Sequence, residues 1–145
     1  MSGKSVKKKS RRKPITYKQL IISFFAFACV LTVAIPAISV LYKERLEKID
    51  IQRAFTIEQS IQEYCEDNGV SSGDILLADA LKYCKVKTNV LETKRDNYSF
   101  YYSELDGSVL CSQTQPQNRI ELPKNLRLEN ADFKVNIDYI SSEKE

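Results

Sequence analysis

From Leu20 to Leu41 the chain reads LIISFFAFACVLTVAIPAISVL, twenty-two consecutive positions without a charge, where only Ser23, Thr32 and Ser39 are polar. A bilayer's hydrocarbon core is about 30 Å thick and a helix rises about 1.5 Å per residue, so about 20 such residues cross it with every backbone group satisfied internally. The run predicts a transmembrane helix over residues 20–42. A cleavable signal peptide has a shorter apolar region, about 7–15 residues, ending at small residues, whereas here the run continues past each Ala. The same continuation argues against a lipoprotein signal at Cys29.

The period then changes. Lys43 to Asn68 contain no Pro or Gly, and Ala54, Ile57, Ile61, Tyr64 and Cys65 recur at i, i+3, i+7, i+10 and i+11, the signature of an amphipathic helix. Residues 43–68 therefore continue the helix, and Asn68-Gly69 is its expected stop. The stripe lasts about three turns and sustains no heptads, so it suits packing on the chain's own head better than a coiled-coil stalk.

Residues 69–145 read as that head. Ser72 or Asp74 is expected to cap a short helix running to about Cys84. NYSFYYS and SVLCSQTQ are β-prone and flank Asp106-Gly107, a strong hairpin signal. Further strands are expected at Arg119 to Leu122, at Leu126 to Leu128, and at Phe133 to Ile140, where apolar and polar positions alternate. Three or four antiparallel strands cannot stand with one face bare, and the helical stripe is the available cover. The fold class is thus α+β: a long N-terminal helix entering a head with a short helix and a small antiparallel sheet.

Charge divides the chain the same way. Residues 1–19 form a basic arm in which Met1 to Lys18 hold eight Lys or Arg and no acid, whereas Gln19 to Glu145 hold fourteen bases against nineteen acids. Basic residues are retained on the cytoplasmic side of a span, which predicts the arm inside and the head outside. The arm has no interleaved aromatics and abuts a span, so anionic headgroups suit it better than nucleic acid. Cys65, Cys84 and Cys111 would then lie in a compartment where disulfides persist. The ends of the two helices favour Cys65–Cys84, with Cys84–Cys111 as the competitor.

Ala34-Ile35-Pro36-Ala37 deep in the apolar helix, the Glu63-Tyr64-Cys65-Glu66-Asp67-Asn68-Gly69 stop and the order of parts resemble the type IV pilins and the pseudopilins of type II secretion. The resemblance covers Pro14 to about Val70 in sequence and only element order beyond. It implies a pilin-like fold and a bacterial inner-membrane subunit or assembly factor with a periplasmic head. Its implied partners are the lipid bilayer, other pilins or pseudopilins and the inner-membrane assembly platform. Registering Ile35-Pro36 on the family places Pro14 at the final leader residue, ordinarily glycine, and Ile15 at the first mature residue. Gln19 falls at the position of a glutamate thought to pair with a neighbour's amino terminus, which makes Gln19 and Pro36 the implied assembly positions. Pro14 and Gln19 both depart from the family pattern.

No histidine occurs, which rules out Ser-His-Asp and Cys-His arrangements and removes the commonest zinc ligand. The four glycines stand singly, so no phosphate loop is present. Neither an enzyme, a cofactor, a metal site nor a small-molecule substrate is expected, and Tyr98, Phe100, Tyr101 and Tyr102 read as half-buried sheet. Two function classes follow: a minor pilin, pseudopilin or assembly factor, and an unprocessed membrane-anchored interaction protein of a bacterial envelope complex such as that of cell division.

Overall fold

The structure is a computed structural model that describes residues 16–138; Pro14 and Ile15 lie outside the described residues, as do Tyr139 and Ile140 of the last expected strand. The described residues divide into two compact units, 16–40 and 41–138. The class is α+β, with one long N-terminal helix, α1 (Tyr17–Asn68), and small antiparallel sheets.

In the first unit α1 carries its apolar side chains outward and runs through Pro36 unbroken. Proline has no N–H, so the Thr32 carbonyl loses its usual donor four residues on. The two hydroxyls nearby turn back onto the helix: Ser39 Oγ donates to the Pro36 carbonyl and Thr32 Oγ1 to the Cys29 carbonyl, each at 2.8 Å. Such back-bonding hides a hydroxyl inside an otherwise apolar stretch.

In the second unit α1 ends as its sequence dictates. Gly69 takes φ +65° while its N–H bonds the Glu66 carbonyl, and the Val70 N–H reaches back to Cys65 at 2.9 Å. This paired closure satisfies two terminal carbonyls. Asp74, however, does not cap a helix. Asp74–Leu76 form a strand, β1, and α2 (Leu77–Tyr83) follows without a side-chain cap. The missing cap is replaced by backbone pairing, since the Leu77 N–H bonds the Phe133 carbonyl at 3.1 Å. The end of α2 repeats the α1 closure with Lys85 where glycine is usual, at φ +56°, and the Val86 N–H on the Leu81 carbonyl. A lysine held there costs roughly 1 kcal/mol relative to glycine.

The expected single meander is two sheets. β2 (Ser99–Ser103) is central between β3 (Val109–Ser112) and β4 (Arg119–Glu121), all antiparallel, and β5 (Lys134–Asn136) pairs with β1 instead. The hairpin expected at Asp106-Gly107 joins β2 to β3, with Tyr102 opposite Val109. Leu126 to Leu128 contribute no strand; Leu128–Asn130 are a 3-10 turn with Leu128 fully exposed. One apolar cluster joins these parts: Ala54, Ile57, Ile61 and Cys65 of α1 meet Ile75 and Val135 of one sheet, Phe100, Tyr102 and Val109 of the other, and Leu77, Ala80 and Leu81 of α2.

Ile57 and Ile61 are both completely buried. Truncating either to Ala should destabilise the chain by about 2–5 kcal/mol in a denaturant titration in micelles. Ile51→Ala, on the exposed face of the same helix, should stay within about 0.5 kcal/mol of the parent.

Candidate functional site

The candidate site is α1 itself, which does two jobs with two sets of side chains. Along its first half none of the apolar window is buried: Ile22, Phe24, Phe25, Val33 and Ile38 all stand open. The helix is long and apolar enough to cross a membrane. Thirteen of the residues from Leu20 to Leu41 are Leu, Ile, Phe or Val, and at about 0.3–0.6 kcal/mol each they favour insertion by roughly 4–8 kcal/mol. Nothing in the second half of the helix is comparably apolar.

Gln19 has a local task. Its Oε1 accepts the Thr16 N–H at 3.2 Å, while the Gln19 N–H bonds the Thr16 carbonyl at 2.8 Å. The side chain of the third helical residue thus reaches back over the helix start, one half of a capping box. This contact needs only an acceptor oxygen, which glutamine and glutamate both offer. The resemblance implies only an assembly role for Gln19, and this local contact is additional to it.

Beyond residue 41, polar side chains of α1 fasten the loops of the head. Asp50 is fully buried and accepts three donors: the Lys94 N–H at 2.6 Å, the Arg95 N–H at 3.2 Å and Arg95 Nε at 3.0 Å. Arg95 continues outward to Glu47 at 3.4 Å and lies 3.9 Å over the Tyr98 ring. A turn further on, Arg53 donates to the carbonyls of Asn89 and Glu92, and Glu58 accepts the Val109 N–H at 3.1 Å. Charge-assisted bonds of this kind position chain segments with little freedom. Among the described residues, no buried side-chain polar atom lacks a partner.

None of these four residues was foreseen. A signal existed for Asp50, because it stands four residues before Ala54 and so falls on the buried stripe, where a carboxylate requires buried donors. Nothing comparable identifies Arg95, which lies in an irregular loop.

The structure corrects the disulfide expectation, because all four cysteines are free thiols. Cys65 points into the core, whereas Cys84 sits beside an earlier turn of α1, its thiol donating to the Ser60 carbonyl at 3.6 Å and to the Glu63 carboxylate at 3.3 Å. Tyr83, next to it, is held by Asp67 at 2.8 Å and by an edge-on contact with Tyr64. Cys111 belongs to β3 near Arg95, Asp50 and Glu47. The α1 residues beside Cys84 and Cys111 are thus at least ten positions apart, about 15 Å at helical rise. The two thiols therefore lie beside different stretches of α1. Burial pushes the Cys65 thiol, well outside the apolar run, up to about 11, with Glu66 adding to the effect.

Two outcomes follow. Asp50→Ala removes the acceptor of two backbone N–H groups and of Arg95 Nε and should cost about 3–5 kcal/mol in unfolding titrations, and Arg95→Ala less, because Asp50 keeps two backbone donors. Alkylation followed by non-reducing peptide mapping should find Cys65, Cys84 and Cys111 all modified and unbridged. In the folded chain Cys65 should react slowly until pH approaches about 11. Because its folded pKa lies above the ordinary 9.0, this thiol's contribution to stability is whole below pH 9 and is lost as pH rises through about 11.

Set against known proteins, the chain matches no family model, no curated protein and no solved structure.

Proposed function

We propose that this chain is a single-pass membrane protein on the pilin plan, acting as a minor pilin, pseudopilin or assembly factor of a type IV pilus or type II secretion system. Its basic arm lies in the cytoplasm, residues 20–42 span the bacterial inner membrane, and the head stands on the periplasmic side. The observation that carries the reading is α1, a single helix that is bare and apolar over one half and supplies the core stripe of an α+β head over the other. Two supporting features are Pro36 within the apolar half and the Asn68-Gly69 closure. Partners of matching chemistry are the bilayer, the apolar helices of other pilins or pseudopilins and the proteins of an inner-membrane assembly platform.

A second reading, an uncleaved anchored component of an envelope complex such as that of cell division, is favoured by Gln19. Its side chain carries no charge for a neighbour's amino terminus. Pro14 in place of the leader glycine points the same way.

Intact-mass analysis of the chain purified from its own membranes separates the two. A mature species beginning at Ile15 is the expected result for a pilus or secretion subunit, whereas a retained basic arm selects the anchored component. A reporter fused after Glu145 should be active outside the cytoplasm only, and cytoplasmic activity would overturn both.

A further inference from the structure

The head carries a lysine-rimmed groove and, elsewhere, an acidic knob that matches it. The groove, about 710 Å³, lies where α2 turns into the following loop. Leu81, Val86 and Leu126 line it, and Lys82, Lys85 and Lys87 rim it. All three lysines are exposed, and none has an ion-pair partner among the described residues. They are out of keeping with their surroundings: from Ala80 to Leu91 there are three lysines and no acid, although residues 41–138 hold thirteen bases against seventeen acids. Lys85 stands in the left-handed position that favours glycine, so the chain carries a charge at the groove where its backbone would be better served without one.

The knob is the tip of the β2–β3 hairpin, Glu104-Leu105-Asp106. Leu105 is 75% exposed, and both flanking acids are exposed. The tip is held firmly by the Gly107 N–H on the Ser103 carbonyl at 2.8 Å and by Ser108, whose N–H and hydroxyl both donate to Asp106 Oδ1. An exposed leucine between two carboxylates is the complement of an apolar groove rimmed by ammonium groups.

We infer that two copies of this chain associate head to tail, the Glu104-Leu105-Asp106 tip of one copy entering the Lys82-Lys85-Lys87 groove of the next. The surfaces differ, so the contact is heterologous and each copy keeps a free tip or groove for another. A three-residue tip is a small interface of the weak, transient kind, and it gains strength where copies are concentrated, as in a shared bilayer. The contact goes beyond the proposed function and needs neither leader cleavage nor a secretion machine.

The test uses the full chain in zwitterionic micelles, with ¹⁵N-labelled and unlabelled copies mixed and joined by a zero-length carbodiimide. Links between Glu104 of one copy and Lys82, Lys85 or Lys87 of another are expected, fading as NaCl is raised and screening shortens. Glu104→Lys alone and Lys85→Glu alone should each lower inter-copy linkage by about tenfold, since each sets like charges face to face. Mixing the two variants should restore it, because opposite charges then meet at both junctions. Lys85→Gly, which relieves the backbone, should lose its link while raising Tm, separating loss of contact from loss of fold. Three results would overturn the inference: no Glu104 link in the parent, single variants that still link, or a mixture that fails to recover. So would groove lysines that join only an added penta-glutamate peptide, which would assign the groove to a foreign acidic partner.

Discussion

Neither sheet of this head can bury a face without help, and one stripe of four side chains on α1 serves both. Two strands or three are too few to stand in water with an apolar face uncovered. Ala54, Ile57, Ile61 and Cys65 meet Ile75 and Val135 from the two-stranded sheet and Phe100, Tyr102 and Val109 from the three-stranded one within one cluster. The sheets share no strand, so what unites them is the cover common to both and the Tyr102 hydroxyl, which donates to the Asn136 carbonyl at 3.0 Å. The central strand β2 is buried along its whole length, and its Phe100 and Tyr102 belong to the cluster that α1 covers.

Apolar contact alone would leave the sheets free to slide along α1, since it has no direction. The polar side chains supply the register. Asp50, Arg53 and Glu58 lie on successive turns and each takes hold of a different backbone segment: the loop before β2, the 3-10 turn at Thr88–Leu91 and its exit, and the first residue of β3. Each bond fixes one loop at one height along the helix. Burying Asp50 is tolerable only because three donors converge on it, and the reverse also holds: the loop carrying Arg95 has its shape because a carboxylate waits there.

How far the chain could be read in advance follows from which forces are local. The helix, its stop at Asn68, its buried stripe and the Asp106-Gly107 hairpin were legible because each depends on residues within a few positions of one another. Strand β1 was not, because Asp74–Leu76 offer three residues beside a helix-prone run, and only pairing with Lys134–Asn136, some sixty positions away, makes them a strand. The cysteines failed as a guide for a related reason. Helix ends adjacent in sequence suggested a bridge, but although Tyr83 at the end of α2 reaches Asp67 near the end of α1, Cys84 itself lies beside Ser60 and Glu63, an earlier turn. Of the candidate site, the apolar half of α1 was plain from composition. The clamps were hidden, because an Asp on a stripe announces that it needs a partner without naming one.

The same helix faces two demands that pull its composition apart. Where it is bare, every polar atom is a liability, and the few hydroxyls are turned back onto carbonyls. Where it enters the head, Asp50, Arg53 and Glu58 each take hold of a backbone segment of the head. The charge-free run therefore ends near the point where the second compact unit begins, and the first residues of that unit are a mixed set of lysine, glutamate and arginine. A helix that had only to cross a membrane would need no buried carboxylate, and one that had only to cover a small sheet would need no exposed row of Ile and Phe. Both sets of side chains, the exposed apolar row and the buried stripe with its carboxylate, belong to one unbroken helix, Tyr17–Asn68.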